Sequence, residues 1–106
     1  MNEFSRTGLT ERDMALIVEA VRQVPEIDSV VLFGSRAKGT CKPGSDVDLA
    51  IKGPNLTYES PIRLSGILNE ELPLPFFFDV VNYHAITEPD LIAHIDRVGI
   101  VIFERA

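Results

Sequence analysis

The sequence predicts an α/β (α+β) fold in which a small mixed β-sheet has helices packed on one face. Its 106 residues suit one domain, 1–106, with one hydrophobic core. Hydrophobic residues make up 45% and charged residues 25%, which excludes a disordered tail and a collagen-like or coiled-coil rod. Short β-branched runs alternate with stretches of helical apolar spacing in the order α, β, β, α, β, α, β, without internal repeats.

Each element has its own signal. Met14, Ile17, Val18, Val21 and Val24 recur at helical spacing between Thr10 and Pro25, and Thr10 with Asp13 forms a capping-box pattern. Residues 29–33, SVVLF, are a buried-strand run that stops at Gly34. The loop that follows has room for one helical turn. In residues 46–52, DVDLAIK, alternation puts Asp46, Asp48 and Ala50 on one face of a strand. Ser60-Pro61 reads as a helix start for a segment reaching about Leu72, which Pro73 and Pro75 then end. Phe76 to Val81 read as a strand with Phe77, Asp79 and Val81 on one face. Thr87 with Asp90 suggests a second capping box, for a helix through Arg97, and Gly99 introduces a last strand, IVIFE.

The chemistry is concentrated in VLFGSRAKGTCKPGSDVDLAI. Gly34-Ser35 ends one strand and Asp46-x-Asp48 opens the next, so the return of the chain brings a glycine turn beside two carboxylates. Like charges so close raise each other's proton affinity unless a cation neutralises them, and hard oxygen donors suit Mg²⁺. Asp79, set among apolar residues in FFFDVV, is a third acid expected to be buried and to need a partner. Each feature alone is ordinary; together they occupy the end or face of three different predicted strands. Gly34 to Gly39 matches G-x-x-x-x-G, but Thr40-Cys41 stands where a P-loop requires Lys-Ser/Thr, so Walker-type phosphate binding is excluded. What remains is a turn whose backbone N–H groups, with Ser35, Arg36 and Lys38 and with Ser45 ahead of the acids, can hold the triphosphate of a nucleotide without that motif.

The stretch GSRAKGTCKPGSDVDLAI, its G-S-x10-D-x-D frame, the later single acid and the terminal IDRVGIVIFER resemble the minimal nucleotidyltransferase group of the DNA polymerase beta-type superfamily, over the whole chain. The resemblance implies a polymerase beta-like core. It implies that Asp46, Asp48 and Asp79 are the catalytic and metal-binding triad for two Mg²⁺ ions, and that Gly34 and Ser35 hold the phosphates of ATP. Lys38 stands where the group commonly has Arg. The implied reaction is transfer of AMP from ATP to a hydroxyl acceptor. With the whole length taken up by this core, the acceptor site is expected to come from another chain. The resemblance supplies a helical HEPN-type ribonuclease toxin, neutralised by adenylylation. The alternatives are a small-molecule or nucleic-acid acceptor held by a separate helical subunit, and a non-enzymatic nucleotide-binding masking module.

Other features narrow the expectations. Ten Lys+Arg against 16 Asp+Glu give a net charge of -6, which argues against a general grip on nucleic acid. One cysteine, Cys41, cannot form an internal disulfide and suits a reducing cytoplasm; no stretch has signal-peptide or membrane-span character. His84 and His94 read as solvated or core-satisfied histidines, and Cys41 as a packing residue. Phe77 reads equally as pocket lining and as interface.

Overall fold

Two side chains start the first helix by exchanging hydrogen bonds with the backbone, as expected. The Asp13 amide donates to Thr10 Oγ1 at 3.0 Å and the Thr10 amide to Asp13 Oδ2 at 2.9 Å, opening α1 (Glu11–Arg22). The computed structural model describes residues 5–105. Residues 1–4, the first part of the segment read as lacking a leader, and residue 106 lie outside the described residues.

Strand β1 (Ser29–Phe33) runs directly into a short helix, α2 (Gly34–Lys38), which fills the predicted helical turn. Strand β2 (Val47–Lys52) follows, then α3 (Glu59–Gly66), β3 (Phe78–Asn82), α4 (Pro89–Val98) and β4 (Ile100–Glu104). The sheet is mixed, in the order β3-β2-β1-β4. β1 is antiparallel to β2 and β4, and β2 is parallel to β3 with Asp48 opposite Asp79. Such pairing needs a crossover, which α3 and the π-helical turn after it (Ile67–Glu71) provide.

Several boundaries differ from expectation for local reasons. Asp46 precedes β2 by one residue, and β3 starts at Phe78 rather than Phe76. Phe76 is instead drawn under the Arg36 guanidinium, 4.7 Å from ring centre to Cζ. Ser60 does not cap α3 but lies inside it. The Glu59 amide donates to Thr57 Oγ1 at 3.3 Å, while Ser60 Oγ accepts from the Thr57 amide at 3.0 Å and donates to Glu26 at 2.7 Å. The Thr87–Asp90 capping box does not form: Glu88 holds the N-cap position without a side-chain hydrogen bond, and Pro89 enters the first turn.

The main core lies on one face of the sheet, where Ile17, Val21, Leu64 and Leu68 cover Val30, Leu32, Leu49, Ile51 and Phe78. The expected one-sided packing is only part of the arrangement, because α4 covers a portion of the other face. Alternation leaves Val31, Phe33 and Ala50 there, and Ile95 with Leu91 removes them from water. The helix α4 therefore shares a face with the acids, and leaves the Asp48–Asp79 end of that face uncovered.

Candidate active site

The turn after β1 is made by a glycine for two independent reasons. Gly34 has φ +76°, a left-handed conformation that costs an L side chain. A Cβ there would also collide with the Asp48 carboxylate, because Phe33 pairs with Asp48 and Gly34 rides over it. The Gly34 amide is held from far away in the sequence: it donates to His94 Nε2 on α4 at 3.2 Å. The imidazole also meets the Phe33 ring edge-on, with centroids 6.1 Å apart. His94 is thus satisfied, as expected, but it is satisfied by the turn itself. Sequence reasoning missed this role, since a contact across 60 positions leaves no local signal.

Arg36 departs from its expected place at the phosphates. Its side chain is buried, Nη1 donates to the Thr7 carbonyl at 2.8 Å, and Nη2 donates to the Ser45 carbonyl at 2.8 Å. These are charge-assisted bonds to backbone that tie the segment before α1 to the loop before β2. Ser45 is built into that loop too: its Oγ accepts from the Lys42 amide at 2.9 Å, and its own amide donates to the Lys42 carbonyl at 3.0 Å. Ser35 and Lys38 remain on α2, half-buried and exposed respectively, with Gly39 closing the helix in a left-handed conformation. Cys41 Sγ lies 3.5 Å from the Thr7 carbonyl, a packing position. Lys52, at the far end of β2, sits over the Tyr83 ring at 4.3 Å, away from this loop.

The acids cluster electrostatically. Asp48 is half-buried, and its carboxyl is pushed above the ordinary aspartate range, first by burial and then by the charges of Asp79 and Asp46. Asp46 and Asp79 are exposed, so Asp79 corrects the expectation of a buried charge: its face is open where β3 forms the sheet edge. Among the described residues no three His, Cys, Asp or Glu side chains are drawn together as a ready-made metal cluster. The donor set nevertheless fits Mg²⁺. It offers hard carboxylate oxygens, burial and then the neighbouring charges raise the proton affinity of Asp48 in a way a cation would offset, and a glycine keeps its approach clear. Beside Asp79, a groove of ≈ 570 Å³ runs between α3 and β3, lined by Pro61, Ile62, Asn69 and Phe77 among others. Phe77 and Ile62 are 60% and 65% exposed, high for large apolar side chains beside a charged site.

The polymerase beta nucleotidyltransferase family model matches residues 16–106. The chain belongs to that family. As a nucleotidyltransferase it has a curated relative in Haemophilus influenzae, the probable protein adenylyltransferase MntA, 31% identical over 106 residues, 99% of this chain and 91% of the relative. Solved structures share the fold. One is a toxin-antitoxin crystal structure with AMP-PNP, with a TM-score of 0.72 and 22% identity over 87% of this chain and 73% of that one. A putative nucleotidyltransferase from Sulfolobus solfataricus gives a TM-score of 0.52 at 19% identity, over 89% of this chain and 82% of that one. Among the described residues no helix is long and apolar enough to cross a membrane.

Proposed function

We propose that this nucleotidyltransferase, a single domain over 1–106 working in the cytoplasm, transfers AMP from ATP to a hydroxyl on a helical HEPN-type toxin, and acts as its antitoxin. The observation that carries this is the convergence at one sheet end of the Gly34 turn, Asp48 and Asp79. The choice of acceptor is supported by the relative, a probable protein adenylyltransferase, and by the toxin-antitoxin complexes among the structural neighbours.

In this reading Ser35, through its amide and hydroxyl, and Lys38 hold the β- and γ-phosphates. Gly34 supplies the shape of the turn rather than its own N–H, which His94 occupies. Arg36 and Ser45 hold the loop that delivers Asp46 and Asp48. The acceptor hydroxyl attacks the α-phosphorus, a new P–O bond forms, the bond to the β-phosphate oxygen breaks, and pyrophosphate departs. Asp79, on the open edge, takes the hydroxyl proton. Two Mg²⁺ ions held by Asp46, Asp48 and Asp79 would supply neutralisation of the triphosphate and lower the pKa of the attacking hydroxyl. The exposed apolar residues Tyr58, Ile62 and Phe77 give the partner a dry surface beside the acid.

Mass spectrometry of the partner after incubation with this protein, ATP and Mg²⁺ tests the reading. The expected result is a gain of one or more AMP units. A partner that binds with its mass unchanged identifies a masking module; if no partner binds, the small-molecule or nucleic-acid acceptor takes its place.

A further inference from the structure

We infer that Asn69 is the positioning residue of Asp79. The Val47 amide donates to the Phe77 carbonyl at 2.9 Å, so at this end of β3 the Phe77 carbonyl faces β2. Alternation then turns the amide and carbonyl of Phe78 outward, towards the open edge of the sheet, where no strand follows. Asn69 takes both. The Phe78 amide donates to Asn69 Oδ1 at 2.8 Å, and Asn69 Nδ2 donates to the Phe78 carbonyl at 3.0 Å. One side-chain amide thus imitates the missing neighbour strand at the residue immediately before Asp79.

The helix is shaped for this contact. After α3 the winding widens into the π-helical turn Ile67–Glu71, which contains Asn69 and rests on the buried Ile67 and Leu68. Such widenings in helices recur at functional sites because they redirect a side chain that regular winding would point elsewhere. The second N–H of Asn69 donates to Ser65 Oγ at 3.1 Å, fixing the amide plane. Asp79 itself is exposed on an edge strand, and among the described residues nothing hydrogen-bonds its side chain. Its place opposite Asp48 therefore depends on the backbone of β3, and Asn69 holds that backbone on the side β2 cannot reach.

This inference rests on Asp79 belonging to the proposed site, and its test separates the two. Asn69→Ala should lower the order parameter of the Asp79 amide from about 0.85 to below about 0.6 in NMR relaxation. Mn²⁺, titrated alone and followed by electron paramagnetic resonance, should bind about fivefold more weakly to Asn69→Ala than to wild type. In an Asp79→Asn background the same substitution should add nothing, because Asn69 acts through that carboxylate. A rigid Asp79 in the folded Asn69→Ala protein overturns the inference, as does an equal loss of Mn²⁺ affinity in both backgrounds. Should wild type bind no Mn²⁺, the metal reading falls, and the order parameter alone decides the role of Asn69.

Discussion

The two halves of the site are built differently. On the β1–β2 side the chain is locked: Gly34 sits against Asp48, His94 holds its amide, and the buried Arg36 fastens the adjoining loop to Thr7 and Ser45. On the β3 side Asp79 and Phe77 are exposed on an edge strand above an open groove. A rigid half suits a small ligand of fixed shape such as a triphosphate, since preorganisation lowers the entropy lost on binding. An open apolar half suits a surface that another macromolecule completes. The difference teaches that nucleotide affinity and acceptor choice are separable properties of this chain.

Substitutions can break that separation or sharpen it. The largest effect is expected from Asp46→Asn with Asp48→Asn, which should cut AMP transfer on the order of 10³-fold or more in a single-turnover assay. Asp48→Asn alone should also stabilise the fold by about 1 kcal/mol at neutral pH, ~4–8 °C in Tm. The sign follows from its raised carboxyl: the folded state binds the proton more tightly than the unfolded one, so ionising Asp48 costs stability as pH rises through its window. Melting curves of the variant should therefore converge on wild type as pH falls towards the ordinary aspartate value of 3.8.

Next in size, Arg36→Ala should destabilise the protein by about 3 kcal/mol in urea, because two charge-assisted bonds from a buried guanidinium to backbone carbonyls disappear. A loss of ATP affinity without that destabilisation would instead return Arg36 to the phosphates. His94→Phe keeps the ring packing on Phe33 but removes the acceptor for the Gly34 amide. KM for ATP should rise about fivefold, with kcat little changed and His94→Gln recovering part of the loss. Phe77→Ser, on the open side, should change stability by less than about 0.5 kcal/mol and leave ATP binding intact, while calorimetry with the partner shows weaker association.

The same contrast governs what could be read from the sequence. The frame was legible where signals are local: Thr10 and Asp13 form their capping box, SVVLF is a strand, and alternation puts Asp48 on one face of β2. The apolar run at Phe76 misled the start of β3 because it satisfies strand patterning while a distant cation claims the ring. Arg36 looked like a phosphate ligand because charge in a glycine-rich loop points outward by default, and nothing nearby announces the Thr7 and Ser45 carbonyls that bury it. His94 and Asn69 were invisible as site residues for a related reason. Each acts on backbone groups, and backbone donors carry no residue identity for a pattern to match.

The register of β3 has a consequence for how preparations of this protein should be judged. Phe78 is fully buried in the main core, and its neighbour Asp79 points to the opposite face. A slip of one residue against β2 would drive the carboxylate into hydrocarbon and expel the phenyl ring, so it would cost both the core and the site at once. A molecule that is folded but carries its third acid on the wrong side is thereby excluded as a stable species. Specific activity and the cooperative unfolding signal should rise and fall together from batch to batch, and one can stand as the purity assay for the other.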